Sequence, residues 1–306
     1  MTWNPAAPPS QLGKTFVVTG ANAGLGYFTS EQLAAAGAHV VLACRNADRA
    51  DAALGALRRR VPGASVSALR LDVSDLSSVA AAADELRALP RIDGLILNAG
   101  TVHPPRRRAV SVDGHELVLA TNYLGHFALT AQVLPALLST HGSRIIPLGS
   151  MISRLLDMPL DDLQLVTGYN RWKAYAQSKI AMQVFGFELD RRLGAAGADT
   201  QAIVVHPGYS ISGRTPRITG VSEPSRADRF VDNLQAAVTQ GKDRGAWAIV
   251  RAATDSTAVG GQFYGPRFVT KGAPVTQRPT RTSLDTAVAS HLWAQSETLS
   301  GVRFPL

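Results

Sequence analysis

Lys14-Thr15-Phe16-Val17-Val18-Thr19 runs without a break into Gly20-Ala21-Asn22-Ala23-Gly24-Leu25-Gly26, and a helical pattern follows to about residue 36. The first six residues read as a buried strand, being short, largely apolar and rich in β-branched side chains. Glycines at 20, 24 and 26 permit a tight turn, let backbone N–H groups approach a pyrophosphate, and allow the helix to pack closely. The helix N-terminus then offers partial positive charge to the anion. The spacing is G-x-x-x-G-x-G rather than the commoner G-x-G-x-x-G. The stretch predicts a strand, a phosphate-binding turn and a helix, with Gly20, Asn22, Gly24, Leu25 and Gly26 as cofactor contacts.

Outward from this unit the pattern repeats. Residues 39–43 (HVVLA), 66–71, 94–97 (GLIL), 144–148 (RIIPL) and 200–205 read as further strands. Helical patterns lie between them: one reaching about residue 60, then 74–89 with Ser74 as N-cap, 114–138 and 169–193. Strands alternating with helices of this length imply right-handed crossovers and a parallel sheet covered on both faces. The expectation is an α/β fold: a single doubly wound Rossmann-type domain over residues 12–306, after a flexible tail over 1–11. Phe263-Tyr264-Gly265-Pro266 would bring the sheet to about seven strands, and a last helix is expected over 284–299. From about 209 to 245 the pattern loosens into Gly, Pro, Ser and Arg, which suggests a lid.

Composition narrows the classes. The chain has 306 residues, 45% hydrophobic and 18% charged, enough apolar material for a large core. No run of about 18 apolar residues predicts a membrane span, and the first ten residues have neither a basic nor an apolar leader region. Cys44 is the only cysteine, which excludes an internal disulfide and suits a reducing cytoplasm. The seven histidines show no ligand-like spacing, so no metal is expected. The net charge of +8 raises nucleic acid as a partner. Its clusters, Arg58-Arg59-Arg60 and Arg106-Arg107-Arg108, have no interleaved aromatics and sit in no DNA-binding pattern, so none is expected.

Nineteen residues beyond Gly26, the second strand ends in Cys44-Arg45-Asn46. A carboxylate near here would bind a ribose 2′-hydroxyl and repel a 2′-phosphate. Arg45 instead offers a guanidinium fork suited to phosphate, so NADP(H) is favoured over NAD(H). Asp72-Val73 follows the third strand, where a carboxylate can accept from an adenine amino group. Asn98-Ala99-Gly100 follows the fourth, at the carboxyl edge where ligands bind in open α/β sheets. Alone, each is equally a turn or a cap; in series after the glycine loop they read as cofactor contacts.

Tyr175 and Lys179 lie four apart in a helical stretch, so both side chains share one face. A tyrosine titrates near 10; a neighbouring ammonium favours the phenolate and brings it towards the range useful for acid–base work. Such a pair arises often by chance, and its weight comes from following a complete cofactor half.

With the glycine spacing, Asn98-Ala99-Gly100 and Tyr175-x-x-x-Lys179 together, the chain resembles a short-chain dehydrogenase/reductase. Ala43-Cys44-Arg45-Asn46, Thr121-Asn122-Tyr123-Leu124-Gly125-His126-Phe127 and Ser300-Gly301-Val302-Arg303-Phe304 make it most similar to the retinol-dehydrogenase-like branch. The resemblance covers about residues 12–304. It implies a catalytic tetrad of Asn122, Ser150, Tyr175 and Lys179. Tyr175 would exchange the proton, Ser150 steady the oxygen, and Lys179 bind the nicotinamide ribose and lower the tyrosine pKa. Asn122 would hold a water. His206-Pro207-Gly208 matches a turn beside the nicotinamide, adding Pro207 and Gly208 to the cofactor contacts, and Thr215 stands for a downstream threonine.

Two departures stand out. Leu97 replaces an amide usual before Asn98, and Pro147 interrupts the strand before Ser150, where a proline cannot donate to a ladder. The implied activity is NADP(H)-dependent interconversion of an alcohol and a carbonyl on a lipophilic small molecule, in a possible homo-oligomer. The alternative is a dinucleotide-sensing regulatory protein of the same fold without turnover.

Overall fold

The computed structural model describes residues 3–154 and 162–306. Strands β1 (Thr15–Thr19), β2 (His39–Cys44), β3 (Ser65–Arg70), β4 (Gly94–Leu97), β5 (Arg144–Pro147) and β6 (Gln201–Ala202) form one parallel sheet in the order β3-β2-β1-β4-β5-β6. Their connections carry α1 (Gly24–Ala35), α2 (Ala47–Arg60), α3 (Leu76–Arg87), α4 (Leu117–Leu119), α5 (Gly125–Leu138) and α6 (Arg171–Ala195). The order reverses direction beside β1, and at such a point the carboxyl ends of the strands open a ligand crevice.

The sheet continues beyond β6. After Ile203 the chain resumes as β7 (Val204–Val205), which pairs in parallel with β10 (Phe263–Pro266), and β11 (Pro274–Thr276) adds antiparallel to β10. The expected seventh strand is therefore present. Pro147 explains the interruption at Ile203. The Gly149 N–H donates to the Val205 carbonyl on that side of β5. By strand alternation the amide two residues earlier would do likewise, and there Pro147 has no N–H to give. Pro147 is also the last residue of β5, so the fault lies at the strand's end.

Alternate residues feed two apolar layers. Phe16, Val18, Val40, Leu42 and Ile96 pack on one face with α1, α2 and α8 (Lys242–Thr254); Val17, Val41, Leu95 and Ile145 pack on the other with α3, α5, α6 and α10 (Thr286–Ser300). The span Leu117–Leu138 is long and apolar enough, by length and composition, to cross a bilayer, but 83% of its most apolar window is buried in the second layer. It is a core helix here, and Thr121, Asn122, His126, Thr130 and Gln132 interrupt its apolar residues.

Some boundaries differ from expectation. Asp75, not Ser74, caps α3, accepting from the amides of Ser77 and Ser78; Ser74 turns back onto Asp72. The long helix starts at Leu117 rather than 114, because Gly114 is left-handed at φ +83° and the buried Glu116 carboxylate accepts from the amides of Val118 and Leu119. The last helix is divided into α9 (Arg281–Leu284) and α10 by Asp285, the N-cap of α10. The segment expected as a flexible tail is tied down from residue 3: Trp3 Nε1 donates to Thr254 Oγ1 at 3.0 Å, and the Gln11 amide donates to the Ala36 carbonyl at 2.7 Å.

The irregular stretch after Gly208 is an excursion with a closed base. β8 (Ser210–Ile211) pairs in parallel with β9 (Gln240–Gly241), and between them lie a 3-10 turn, Ser212–Arg214, and α7 (Arg226–Leu234), which has no buried residue.

Candidate active site

Thr19, the last residue of β1, organises the turn that follows. Its hydroxyl accepts from the amides of Asn98 and Ala99, both at 2.9 Å, and lies 2.9 Å from His126 Nε2. Asn98 replies with its own amide group, donating to the Thr19 carbonyl at 2.7 Å. The glycine loop and the end of β4 are thus stitched together through one hydroxyl and one amide. Gly26 makes this possible: a β-carbon there would lie 2.5 Å from Asn98 Nδ2 and from the Gly20 carbonyl. Asn98 therefore shapes the loop, while Ala99 and Gly100 continue past it towards Asn122.

At the ends of β2 and β3, Arg45 reaches Asp72 at 3.7 Å with its side chain 74% exposed. The Asp72 carboxylate also accepts from the Ser74 amide and hydroxyl, at 2.9 and 2.6 Å. Arg45 and Asp72, found 27 residues apart in sequence, form one small charged rim. The adjoining Val73 is buried, and α5 crosses its carbonyl at Gly125, where no side chain would fit. Burial pushes the Cys44 thiol up to about 11, leaving it an unreactive core residue.

Four sequence-assigned residues converge at the carboxyl ends of β4 and β5. Helix α6 is started by Asn170, whose side chain accepts from the amides of Trp172 and Lys173. It presents Tyr175, Lys179 and Gln183, spaced by four, along one face. The Tyr175 hydroxyl donates to Ser150 Oγ at 3.5 Å, a long bond. Lys179 Nζ donates to the Leu148 carbonyl at 2.9 Å, and Gln183 Nε2 to the Ser150 carbonyl at 2.8 Å. A β-carbon on Gly149 would lie 2.5 Å from Gln183 Cγ, so that glycine lets the loop settle onto the helix. Pro147 has not displaced Ser150 from Tyr175.

Asn122 sits in a π-turn, Ala120–Leu124, between α4 and α5. Its side-chain oxygen accepts from the Thr101 amide at 2.7 Å, and its NH2 group donates to the Thr101 carbonyl and to Ser178 Oγ at 3.2 and 3.0 Å. The side chain, expected to hold a water, is already engaged in bracing the loop after Gly100 against α6.

The electrostatics correct another expectation. Burial raises the Tyr175 pKa, opposed by the hydrogen bond with Ser150; the expected depression by Lys179 does not dominate. Lys179 is itself lowered to about 8 because burial disfavours its charge. Both groups are held nearer neutrality by desolvation, and the ammonium faces the Leu148 carbonyl.

The turn beyond β7 is equally specific. Gly208 is left-handed at φ +67°, and a side chain there would strike the Thr270 carbonyl. Pro207 offers its carbonyl to Ser210 Oγ and Gln240 Nε2, both at 2.9 Å. His206 Nδ1 accepts from the Gly208 amide, so Nε2 carries the proton and donates to Gln277 Oε1 at 2.9 Å. Thr215 is fully buried, donating to the Ile211 carbonyl and accepting from the Lys242 amide. It anchors the excursion and presents nothing to a ligand; Ser212 is the hydroxyl at that edge, bonded to Lys242 Nζ at 2.9 Å. Sequence reading missed Thr19, Ser178, Gln183, Ser212 and Lys242. Only Ser178 and Gln183 left a signal there, as polar residues beside or in register with Tyr175 and Lys179.

A glycine turn, a tyrosine over a serine, and a buried lysine at the strand ends define a dinucleotide-dependent oxidoreductase. Residues 14–218 match the model of the family described as short chain dehydrogenase, and the chain belongs to that family, in its retinol-dehydrogenase-like branch. It is 33% identical to retinol dehydrogenase 13 of Homo sapiens over 96% of this chain and 86% of that protein. To polyprenol dehydrogenase of Mus musculus it is 33% identical over 98% and 87%. A solved structure of an uncharacterised protein from Mycobacterium paratuberculosis superposes with TM-score 0.81 at 36% identity, covering 100% of both chains. An NAD(P)-dependent gluconate 5-dehydrogenase from Beutenbergia cavernae, solved with bound NADP, gives TM-score 0.62 at 27% identity over 84% of this chain and 96% of that one. The chain is an NAD(P)-dependent oxidoreductase enzyme.

Proposed function

We propose that this enzyme interconverts an alcohol and a carbonyl on a lipophilic small molecule, with NADP(H) as its working cofactor. The observation that carries the reaction is the Tyr175 hydroxyl 3.5 Å from Ser150 Oγ, above a buried Lys179, at the strand ends beside the glycine loop. The residues fit a dinucleotide. The loop has no room for side chains at Gly20 and Gly26, and Arg45 is an exposed cation at the end of β2, 3.7 Å from Asp72, in a stretch, Cys44-Arg45-Asn46, that itself carries no carboxylate.

Gly20, Asn22, Gly24, Leu25 and Gly26 would hold the pyrophosphate, with Arg45 at the 2′-phosphate and Asp72-Val73 beside the adenine. Asn98-Ala99-Gly100, Lys179, Pro207 and Gly208 would hold the nicotinamide half. When bound, the nicotinamide supplies or accepts hydride. In the reductive direction the Tyr175 hydroxyl gives its proton to the substrate oxygen, and the Ser150 hydroxyl hydrogen-bonds the same oxygen as charge develops. Gln183 and Gly149 hold Ser150 in place, and Asn122 braces the Gly100 loop against α6. The NADP(H) preference rests on Arg45. The lipophilic substrate is supported by the retinol and polyprenol relatives and by exposed Phe230, Val231 and Leu234 on α7. Residues 209–245 would act as the lid.

Tyr175→Phe tests the reading. Removing the proton donor lowers turnover of apolar aldehydes and ketones by about 10²–10⁴-fold, followed by nicotinamide absorbance, while cofactor affinity stays within a few-fold. Unchanged turnover would sink the role of Tyr175. An Arg45→Ala variant that keeps the wild-type ratio of NADPH to NADH affinity would sink the cofactor assignment.

A further inference from the structure

Lys242 opens α8, far in sequence from the glycine loop, yet it stands over that loop. A β-carbon on Gly24 would lie 3.5 Å from Lys242 Cδ and 3.8 Å from Nζ. The start of α8 packs along α1: a β-carbon on Gly245 would lie 2.7 Å from Leu25 Cδ2 at the start of α1, and Gln32 Nε2, near the end of α1, donates to the Asp243 carbonyl at 2.9 Å. Lys242 Nζ donates to Ser212 Oγ at 2.9 Å, and among the described residues it takes part in no ion pair. Its main chain is fixed separately, the amide donating to Thr215 Oγ1 at 3.0 Å. The ammonium is therefore partly desolvated, bonded to one neutral hydroxyl, and placed where the α1 N-terminus favours an anion. Asp232 is the nearby counter-charge, and its carboxylate accepts from the Gly213 amide at 2.6 Å.

We propose that Lys242, with Ser212, forms a second wall of the pyrophosphate site and ties the 209–245 excursion to cofactor occupancy. Lys242 supplies a charge-assisted hydrogen bond to the dinucleotide diphosphate, and Ser212 holds the side chain in position. Because Lys242 and Ser212 stand at the two ends of the excursion, on the base formed by β8 and β9, a bound diphosphate bridges that base to the glycine loop and holds it there. The inference rests on the dinucleotide reading of that loop.

Titration of NADPH against wild type, Lys242→Met, Lys242→Arg and Ser212→Ala, each checked for an unchanged circular dichroism spectrum, tests it. Adenosine 2′-monophosphate, which lacks the diphosphate, serves as the control ligand. Lys242→Met should weaken NADPH about tenfold or more and change the control less than twofold, with Lys242→Arg recovering most of the loss. NADPH should slow trypsin cleavage at Arg226 and Arg229 in the wild type and lose that effect in Lys242→Met. Equal NADPH affinity in Lys242→Met, or an equal loss for both ligands, would overturn the proposal. Failure of the wild type to bind either NADPH or NADH would overturn the dinucleotide reading itself, and this proposal with it.

Discussion

Lys179 puts a charge inside the protein with, among the described residues, a single carbonyl, that of Leu148, as its hydrogen-bond acceptor. The consequence is a pH dependence whose sign follows from linkage. Its folded pKa is lowered to about 8 from an ordinary 10.5, so below about 8 the full burial penalty is present in the native state. Between there and the unfolded value the unfolded chain binds more protons, and stability rises with pH. Above about 10 the raised Tyr175 pKa works in the opposite sense. Lys179→Met removes the penalty. In cofactor-free protein it should melt a few degrees above wild type at pH 7, and the gap should narrow by pH 9.5. A gap of constant size would contradict this account. At this scale the spacing of Tyr175 and Lys179 was legible, because a four-residue interval on a helix forces a shared face. Their pKa balance was not, because desolvation depends on what the fold stacks around them.

The elements show where local rules suffice. Asn170, Asp75 and Asn46 cap α6, α3 and α2 with side-chain acceptors, as their residue types allow. Asn170→Ala should cost about 1 kcal/mol and lower the melting temperature by about 2–4 °C, read by thermal denaturation. An effect on turnover much larger than on stability would show that the cap also sets the Tyr175–Ser150 distance. Ser74 was misread because two candidate caps stood side by side and only the direction of the chain after Leu71 selects between them. The split of the sixth strand at Ile203 was unreadable for a different reason. Its cause, the missing N–H of Pro147, lies on a neighbouring strand and acts through registry.

In the whole molecule two buried histidines weaken the native state in acid. Burial lowers His126 to about 3 and His206 to about 4; Thr19 lies against the first, and Gln277 and the Gly208 amide fix the second. Below about 6.5 an unfolded histidine takes a proton that the native one refuses. The histidine contribution should therefore lower stability from pH 6.5 towards 4, by at most the slope of two protons, about 2.7 kcal/mol per pH unit. The burial-raised carboxyls of Glu116 and Asp190 act in the opposite sense towards the acid end. Thermal melts across that range test it, and a flat profile between pH 6 and 4.5 would refute the account. The chain's order of strand and helix, its glycine turn and its Tyr175–Lys179 spacing were determined by sequence alone, since each is a periodicity or a short-range steric rule. What only the tertiary structure decided are contacts between residues distant in sequence. Thr19 gathers Asn98, Ala99 and His126, Asn122 turns to Thr101 and Ser178, and Lys242 reaches over Gly24. Packing two layers onto one sheet brings such groups within hydrogen-bond range, and no local pattern records that distance.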